Sequence, residues 1–329
     1  LVFHAYYDSN SVVPELAPGA EQSLGASTLL ELGRYFLQLP EKPARPIYLL
    51  FTGAHGQAMS GMSHFMRLLR EEVEEQSKKT GHVPRDNSRM RAMLAEMGKP
   101  GLLAGLDLSS HSNQMGIFCM GAYFDFRDAY LRPRFNVLGL KLAEAAAQYY
   151  KDPKSPPPVP AFVDCINLTS GRGWWTYFPY QAAFESEIPL LAGYPAITLA
   201  TINDERFYVD TPDDTFEEIR FDQLESQIAA RPGESAGLGV IAQSLAFWNG
   251  PYISSELRNE SAELGGRVVW LNQKKSYTPN DPLAGSTVFL KRGVGDKALL
   301  GMCGLSPVLS DSQGEFLFPD LFMGFKWWL

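Results

Sequence analysis

The sequence lacks a long apolar run, a dense basic segment and a rich supply of cysteine. No stretch approaches the roughly 18 consecutive apolar residues that a membrane-spanning helix requires, because glycine, proline or charge interrupts each one. The 329 residues carry a formal net charge of −8 without a basic cluster, which argues against nucleic acid or another anionic partner. With 45% hydrophobic residues, the chain has enough apolar material for one large domain and a small one.

The three cysteines, Cys119, Cys165 and Cys303, lie too far apart for a zinc knuckle and are odd in number. Cysteines outside disulfides are usually buried, so we predict structural thiols. The sequence leaves one disulfide pair open as an alternative.

Strand-like runs occupy both ends of the chain, at residues 1–7 and 322–329. We interpret the chain as a fragment of a longer protein. The lack of a signal peptide or anchor in the fragment therefore leaves the location of the whole protein open.

The first two-thirds of the chain alternate between strand-like and helix-like segments. Short apolar runs flanked by helix breakers predict buried strands at residues 1–7, 46–52, 102–109 and 195–200. Apolar residues at three-to-four spacing predict helices at 26–38, 61–79, 134–150, 221–230 and 239–247. This alternation predicts an α/β domain over residues 1–260, with a doubly wound, mostly parallel sheet.

After about residue 260 the sequence pattern changes to the period-two alternation of β-strands. Period-two stretches at residues 266–272, 282–290 and 308–318 are separated by glycine, proline or aspartate turns. They predict a small β-sandwich over residues 261–329, with a domain boundary at about 255–265.

Several short motifs follow one another along the first domain: Tyr6-Tyr7-Asp8-Ser9, Pro18-Gly19-Ala20-Glu21-Gln22-Ser23, Phe51-Thr52-Gly53-Ala54-His55-Gly56-Gln57 with Gly61, Leu106-Asp107-Leu108, Gly193-Tyr194-Pro195-Ala196-Ile197-Thr198-Leu199 and Val209-Asp210-Thr211-Pro212-Asp213-Asp214-Thr215. Their order and spacing resemble the di-zinc aminopeptidases and glutamate-carboxypeptidase type metallopeptidases. Relatives of that family include the transferrin-receptor and nicastrin ectodomains. The resemblance covers about residues 1–250 and implies the zinc-peptidase α/β fold.

The same resemblance implies that most zinc ligands are missing. Such a site needs a carboxylate that bridges two zinc ions, a histidine and a carboxylate that complete each, and a free glutamate as general base. Asp107 retains its ligand type, and Asp8 corresponds to the aspartate that orients a ligand. At the other positions stand Tyr6 for the first histidine, Gln22 for the bridging aspartate, His55 for the general base, Gly56 for the neighbouring ligand and Asp210 for the last histidine.

A neutral amide cannot bridge two dications, and a glycine supplies no ligand atom. We therefore expect no di-zinc centre, no catalytic residue and no cofactor. The interpretation is a non-catalytic binding or scaffold domain, with a protein, peptide or glycan at the former cleft. A subunit of a membrane-associated complex is a further reading, by resemblance to nicastrin-like and transamidase-associated relatives.

The C-terminal segment resembles the carboxypeptidase regulatory-like, transthyretin-like β-sandwich, in truncated form. The residues that carry this resemblance are Pro282-Leu283-Ala284-Gly285-Ser286-Thr287-Val288 and Ser310-Asp311-Ser312-Gln313-Gly314-Glu315-Phe316. Such modules occur on secreted or cell-surface proteins. The resemblance therefore implies an extracytoplasmic protein, either secreted, periplasmic or membrane-attached.

Two catalytic alternatives stay open on the sequence. The first is a hydrolase with an altered metal site, in which His55, Asp107 and Asp210 bind zinc or another divalent ion. The second is a serine hydrolase that uses Ser109 or Ser110 with His111, since strand alternation would place Asp107, Ser109 and His111 on one side. No Gly-x-Ser-x-Gly elbow presents either serine.

Aromatic residues are densest at residues 171–180, which include Trp174, Trp175 and Tyr177. In the family this region lies beside the active-site cleft. Exposed aromatic loops bind partners or sugars, whereas buried ones cover a core, and the sequence leaves both readings open.

Overall fold

The fold is built around a six-stranded sheet, as seen in a computed structural model of the chain. The structure divides into two units, Leu1–Leu257 and Arg258–Leu329. It describes residues 1–43, 45–57, 59–78, 88–98, 100–121, 132–149, 162–167, 174–178, 182–228, 238–253, 261–272, 274–275, 278, 281–288, 291–293, 308–322 and 326–328.

The sheet of the first unit has the strand order β2-β1-β3-β6-β4-β5. Its strands β1, β2, β3 and β6 run parallel, whereas β4 is antiparallel to β6 and parallel to β5. The central strands β3 and β6 are buried throughout, as in parallel sheets covered on both faces. The strands are β1 (Val2–Tyr6), β2 (Tyr48–Thr52), β3 (Leu103–Asp107), β4 (Met115–Phe118), β5 (Phe162–Asp164) and β6 (Ala196–Thr201).

Helices connect these strands and cover the sheet. They are α1 (Leu24–Gln38), α2 (Ser60–Lys78), α3 (Ser88–Met97), α4 (Arg132–Tyr149), α5 (Glu187–Leu191), α6 (Phe221–Ile228) and α7 (Leu238–Ala246). Among the residues described, no helix combines the length and apolar character needed to cross a membrane.

Helix α1 shows how the pattern produces the packing. Its Leu29, Leu32 and Phe36 are buried at three-to-four spacing, and the Phe36 ring lies 5.9 Å from the ring of Phe3 on β1. Helix α2 starts against the end of β2, where a Cβ on Gly61 would lie 2.3 Å from the Gly53 carbonyl oxygen. Only glycine permits this close approach, which fixes the loop that carries His55.

The second unit consists of short antiparallel pairs. Its longest pairing joins β7 (Ser261–Arg267) to β13 (Glu315–Phe322), with Phe318 buried beside Leu264. The other strands are β8 (Val269–Trp270), β9 (Asp281–Pro282), β10 (Thr287–Val288), β11 (Lys291–Gly293), β12 (Val308–Leu309) and β14 (Lys326–Trp328). The predicted β-sandwich, its regulatory-like identity and the division at residue 260 stay predictions.

The mixed α/β class and the mostly parallel sheet are confirmed. The sequence missed α3, α5, β4 and β5, because these segments are short or carry no clear period. Cys119 and Cys165 are buried outside any disulfide, as expected, and Cys303 lies outside the described residues. Burial raises the pKa of the Cys165 thiol.

Candidate functional site

The candidate site lies at the carboxyl edge of β1, β2, β3 and β6. Because these strands are parallel, Tyr6, Thr52 and Asp107 end their strands at the same edge of the sheet. Open α/β sheets place their ligands at this edge. The loops that follow bring in residues 8–22, 53–59 and 203–220.

Asp107, the position at which the sequence resemblance retains a ligand-type residue, is paired with an arginine. The Arg206 Nη1 lies 2.5 Å from Asp107 Oδ1, and Nη2 donates to the Asp107 carbonyl oxygen at 3.0 Å. About nine-tenths of each side chain is buried. A buried carboxylate with a cation at hydrogen-bonding distance is already charge-compensated within the chain.

Gln22 and Asp210 bind each other. The Gln22 amide Nε2 donates to Asp210 Oδ1 at 2.6 Å, and its Oε1 accepts from the Asn10 backbone N–H at 3.1 Å. Asp210 has a φ of 63° and Arg206 a φ of 47°, in the left-handed region that non-glycine residues rarely adopt. Each of these two backbone conformations costs about 1 kcal/mol, which the surrounding structure must offset.

His55 is held from three sides. Its ring stacks on Tyr6 with centroids 3.9 Å apart, and its backbone N–H donates to the Asp8 carboxylate at 3.0 Å. Its Nδ1 lies 3.6 Å from Glu185 Oε1. A Cβ on the neighbouring Gly56 would meet Asn10 at 3.4 Å, an ordinary contact, so sterics do not require glycine there.

Glu185 is the centre of a buried cluster that the sequence did not reveal. Its Oε2 accepts a short hydrogen bond from the Thr52 hydroxyl and lies 3.6 Å from His4 Nδ1. The His4 Nε2 is hydrogen-bonded to Ser186 Oγ at 3.1 Å. We call His4, Thr52, His55, Glu185 and Ser186 the Glu185 cluster.

Charge attraction dominates the Glu185 cluster. Burial acts to raise the pKa of Glu185, but the imidazoles of His4 and His55 overcome it and lower that pKa to about 2. Burial acts to lower the pKa of His55, but the Glu185 charge overcomes it and raises that pKa. His4 Nδ1, His55 Nδ1 and Glu185 Oε1 are buried without a hydrogen bond, and each imidazole faces the carboxylate across 3.6 Å, while the hydroxyls of Thr52 and Ser186 supply the hydrogen bonds of the cluster.

A second buried cluster surrounds Glu21. Its carboxylate accepts from the backbone N–H of Ser110 at 2.8 Å and, in a short bond, from the Ser110 hydroxyl. The His111 Nδ1 lies 3.0 Å from Glu21 Oε1, and the Asp214 carboxylate accepts from the Glu21 backbone N–H at 2.7 Å. Burial raises the pKa of Glu21 despite these donors. We call Glu21, Ser110, His111 and Asp214 the Glu21 cluster.

Neither Ser109 nor Ser110 is positioned to act as a nucleophile. The Ser110 hydroxyl bonds Glu21 and accepts from the Arg220 backbone N–H at 2.9 Å, and its side chain is fully buried. Ser109 is also buried. Strand β3 ends at Asp107, so the expected alternation does not continue to Ser109 and His111, and His111 pairs with Glu21 instead.

The predicted ligand positions are neighbours but do not form one metal-ligand set. Across the described ranges, no group of three or more histidine, cysteine, aspartate or glutamate side chains is arranged to hold a metal ion. Asp107 faces Arg206, Asp210 faces Gln22, and His55 faces Glu185. The donor set therefore does not fit a di-zinc centre.

The aromatic segment divides between surface and core. Trp175 is 64% exposed, whereas Tyr177 packs against the buried cluster of Phe118, Phe178 and Phe184. The side chain of Trp174 lies outside the described residues. Trp175 thus remains a candidate binding residue, and Tyr177 supports the core.

Comparison with solved structures returns two aminopeptidases, one of them a zinc enzyme, and LapA. A zinc aminopeptidase from Bacillus subtilis aligns over 78% of this chain and 49% of its own, with 12% identity and a TM-score of 0.44. LapA from Legionella pneumophila aligns over 75% of this chain and 53% of its own, with 16% identity and a TM-score of 0.43. An aminopeptidase from Aneurinibacillus aligns over 77% of this chain and 45% of its own, with 16% identity and a TM-score of 0.42. This chain spans about half the length of these proteins. No protein-family model and no curated protein sequence matches the chain.

Proposed function

We propose that the first unit is a zinc-peptidase-like domain without the metal chemistry of that fold, which serves as a non-catalytic binding or scaffold domain. The Asp107–Arg206 ion pair is the observation that carries the proposal. Asp107 is the one ligand position whose residue type the resemblance preserves. A divalent ion at Asp107 would have to displace a buried guanidinium at 2.5 Å.

The neighbouring positions support the same reading. The Gln22 amide is a hydrogen-bond donor to Asp210, so it neutralises part of the carboxylate's field without a metal. His55 replaces a carboxylate by a cation-forming ring, and its charge is balanced by Glu185. The side chains of Asp107, Asp210 and His55 thus each pair with another group of the chain.

A substrate panel tests the proposal. Aminoacyl and dipeptide substrates are assayed with added zinc, manganese or calcium, on the wild type, Asp107→Ala and the near-isosteric Asp107→Asn. We expect no metal-dependent turnover in any of them. Metal-dependent hydrolysis by the wild type that both substitutions abolish, with folded protein verified by circular dichroism, would refute the non-catalytic role.

We further propose that the protein is extracytoplasmic, secreted or attached to a membrane, and binds a protein, peptide or glycan at the former cleft. Membership in a membrane-associated complex is the more specific form of this proposal. Fractionation of host cells, with the protein followed by antibody, tests both. Recovery only in the soluble intracellular fraction would contradict them.

A second candidate function is a hydrolase of the same superfamily with an altered site around His55, Asp107 and Asp210. The specific observation in its favour is the carboxylate beside His55, since a glutamate 3.6 Å from an imidazole can orient it as a general base. The substrate panel separates this candidate from the first. Turnover that falls in His55→Gln and Asp107→Asn alike would favour the hydrolase.

A further inference from the structure

Exposed apolar side chains surround the candidate site on three adjoining segments, residues 12–16, 205–213 and 216–222. We call these segments the rim. Each of six side chains in the rim leaves between 42% and 79% of its surface in water: Val12, Val13, Leu16, Phe207, Phe216 and Phe221. Single exposed apolar residues are normal in soluble proteins, but a contiguous group of this kind marks an interaction surface.

Contacts join the three segments into one surface. The Val12 backbone N–H donates to the Asp210 carbonyl oxygen at 3.1 Å, which links the first segment to the second. Tyr208 lies beside Glu218, whose charge raises the pKa of the tyrosine hydroxyl, and this links the second to the third. Within the third segment, the rings of Phe216 and Phe221 lie 5.3 Å apart.

The rim also concentrates the negative charge of the chain. The three segments of the rim contain seven carboxylates against two arginines, a formal charge of −5, while the whole chain carries −8. One of the two arginines, Arg206, is already paired with Asp107. The exposed carboxylates of the rim are Glu15, Glu205, Asp210, Asp213, Glu217 and Asp222.

We propose that the rim binds a cationic amphipathic helical segment of a partner protein, with lysine or arginine on one face and aliphatic or aromatic residues on the other. This inference rests on the proposed binding role of the domain. Phenylalanine side chains supply apolar anchors, and the carboxylates around them attract the basic residues of the peptide. Phe207 and Phe216 are the most exposed aromatic anchors of the rim.

Charge separates this occupant from two others that an apolar surface could take. A second copy of the chain would bring the same rim, with its formal charge of −5, to the interface, and like charges oppose that contact. An anionic membrane surface is opposed for the same reason. A basic partner is the occupant that both the apolar and the acidic side chains of the rim favour.

Fluorescence polarisation with designed peptides tests the proposal. The probe is a labelled 14-residue peptide of lysine and leucine in a helical amphipathic pattern, and the control replaces every lysine by glutamate. We expect the wild type to bind the lysine peptide at least about tenfold more tightly than the glutamate peptide. We also expect this preference to shrink at high salt, because exposed charges are screened.

Substitutions locate the binding surface. Phe207→Ser combined with Phe216→Ser should weaken lysine-peptide binding by about tenfold or more. Leu37→Ser is the matched control, because Leu37 is 78% exposed on α1, near the opposite edge of the sheet. Equal binding of both peptides, or equal weakening by Leu37→Ser, would overturn the proposal.

Two further outcomes would also overturn it and identify another occupant. One is a wild-type dimer in analytical ultracentrifugation that the double substitution dissociates, without peptide binding. The other is binding to phosphatidylserine vesicles in place of the peptide. The substrate panel tests the non-catalytic role separately. Asp107-dependent turnover would refute that role whether or not the rim binds the lysine peptide.

Discussion

Two buried glutamates of the first unit, Glu185 and Glu21, stand in similar settings, but their pKa values are shifted in opposite directions. Glu185 lies between the imidazoles of His4 and His55, and its pKa is lowered to about 2. Glu21 lies beside His111 and two donors from Ser110, and its pKa is raised. Burial raises both pKa values, so the difference comes from the neighbours.

The neighbours differ in charge. Two imidazoles favour the ionised form of Glu185. Glu21 has one imidazole, and Asp204 opposes its ionisation. The comparison teaches that the Glu185 cluster depends on a charged glutamate, whereas the Glu21 cluster tolerates a neutral one.

Replacing each glutamate by the neutral, isosteric glutamine should give the largest difference in stability between the two clusters. Glu185→Gln should lower the free energy of unfolding by about 4 kcal/mol, because it removes the buried anion beside the His55 imidazole, whose pKa that anion raises. Glu21→Gln, the matched control, should cost less, about 1 kcal/mol, because burial raises the pKa of Glu21 and so opposes the charge that the substitution removes. Urea unfolding near neutral pH measures both, and equal costs would contradict the assigned charge states.

The Asp107–Arg206 pair extends the comparison to a buried carboxylate that faces an arginine. Arg206→Met should lower the free energy of unfolding by about 3 kcal/mol, because it leaves the Asp107 carboxylate buried without a cation. Adding Asp107→Asn to this variant should recover part of the loss. A double-mutant cycle in urea measures the coupling, and additive costs would show that the two side chains do not interact.

The pH dependence of the free energy of unfolding should also differ between the two clusters, by a smaller amount. The folded pKa of Glu185 lies below the ordinary value of 4.5, so its stabilisation is present above pH 4.5 and is lost as the pH falls toward 2. The wild type should therefore lose about 2 kcal/mol relative to Glu185→Gln between about pH 5 and pH 3.

Glu21 should give the opposite sign. Its folded pKa is raised, so its contribution is fully present below pH 4.5 and is lost as the pH rises through the raised value. The wild type should thus lose stability relative to Glu21→Gln as the pH rises. Urea unfolding across the acidic range measures both differences, and slopes of the same sign would contradict the assignment.

Sequence patterns predicted the parts of the fold that local residues determine. Apolar runs predicted β1, β2, β3 and β6 close to their observed bounds. The prediction that β2 is buried is wrong, because β2 lies at the edge of the sheet and Phe51 is exposed. The short strands β4 and β5 were missed, since a run of three or four residues needs its sheet neighbours to become a strand. The antiparallel direction of β4 also depends on contacts that no local pattern encodes.

The candidate site was predicted only in part. The resemblance led to Tyr6, Gln22, His55, Asp107 and Asp210, which the structure places at neighbouring strand ends and loops. Arg206 and Glu185 were missed, because each meets its partner from more than 90 positions away along the chain. A lone arginine or glutamate in a loop gives no local signal of such a contact.

Metal content tests the central claim, that protein groups occupy the places of the zinc ligands, most directly. The purified protein is incubated with zinc, dialysed, and analysed by plasma mass spectrometry beside Asp107→Asn. Because Asp107 is paired with Arg206, we predict a substoichiometric metal content that does not differ between the two proteins. One tightly held ion per chain in the wild type, lost in Asp107→Asn, would contradict the claim.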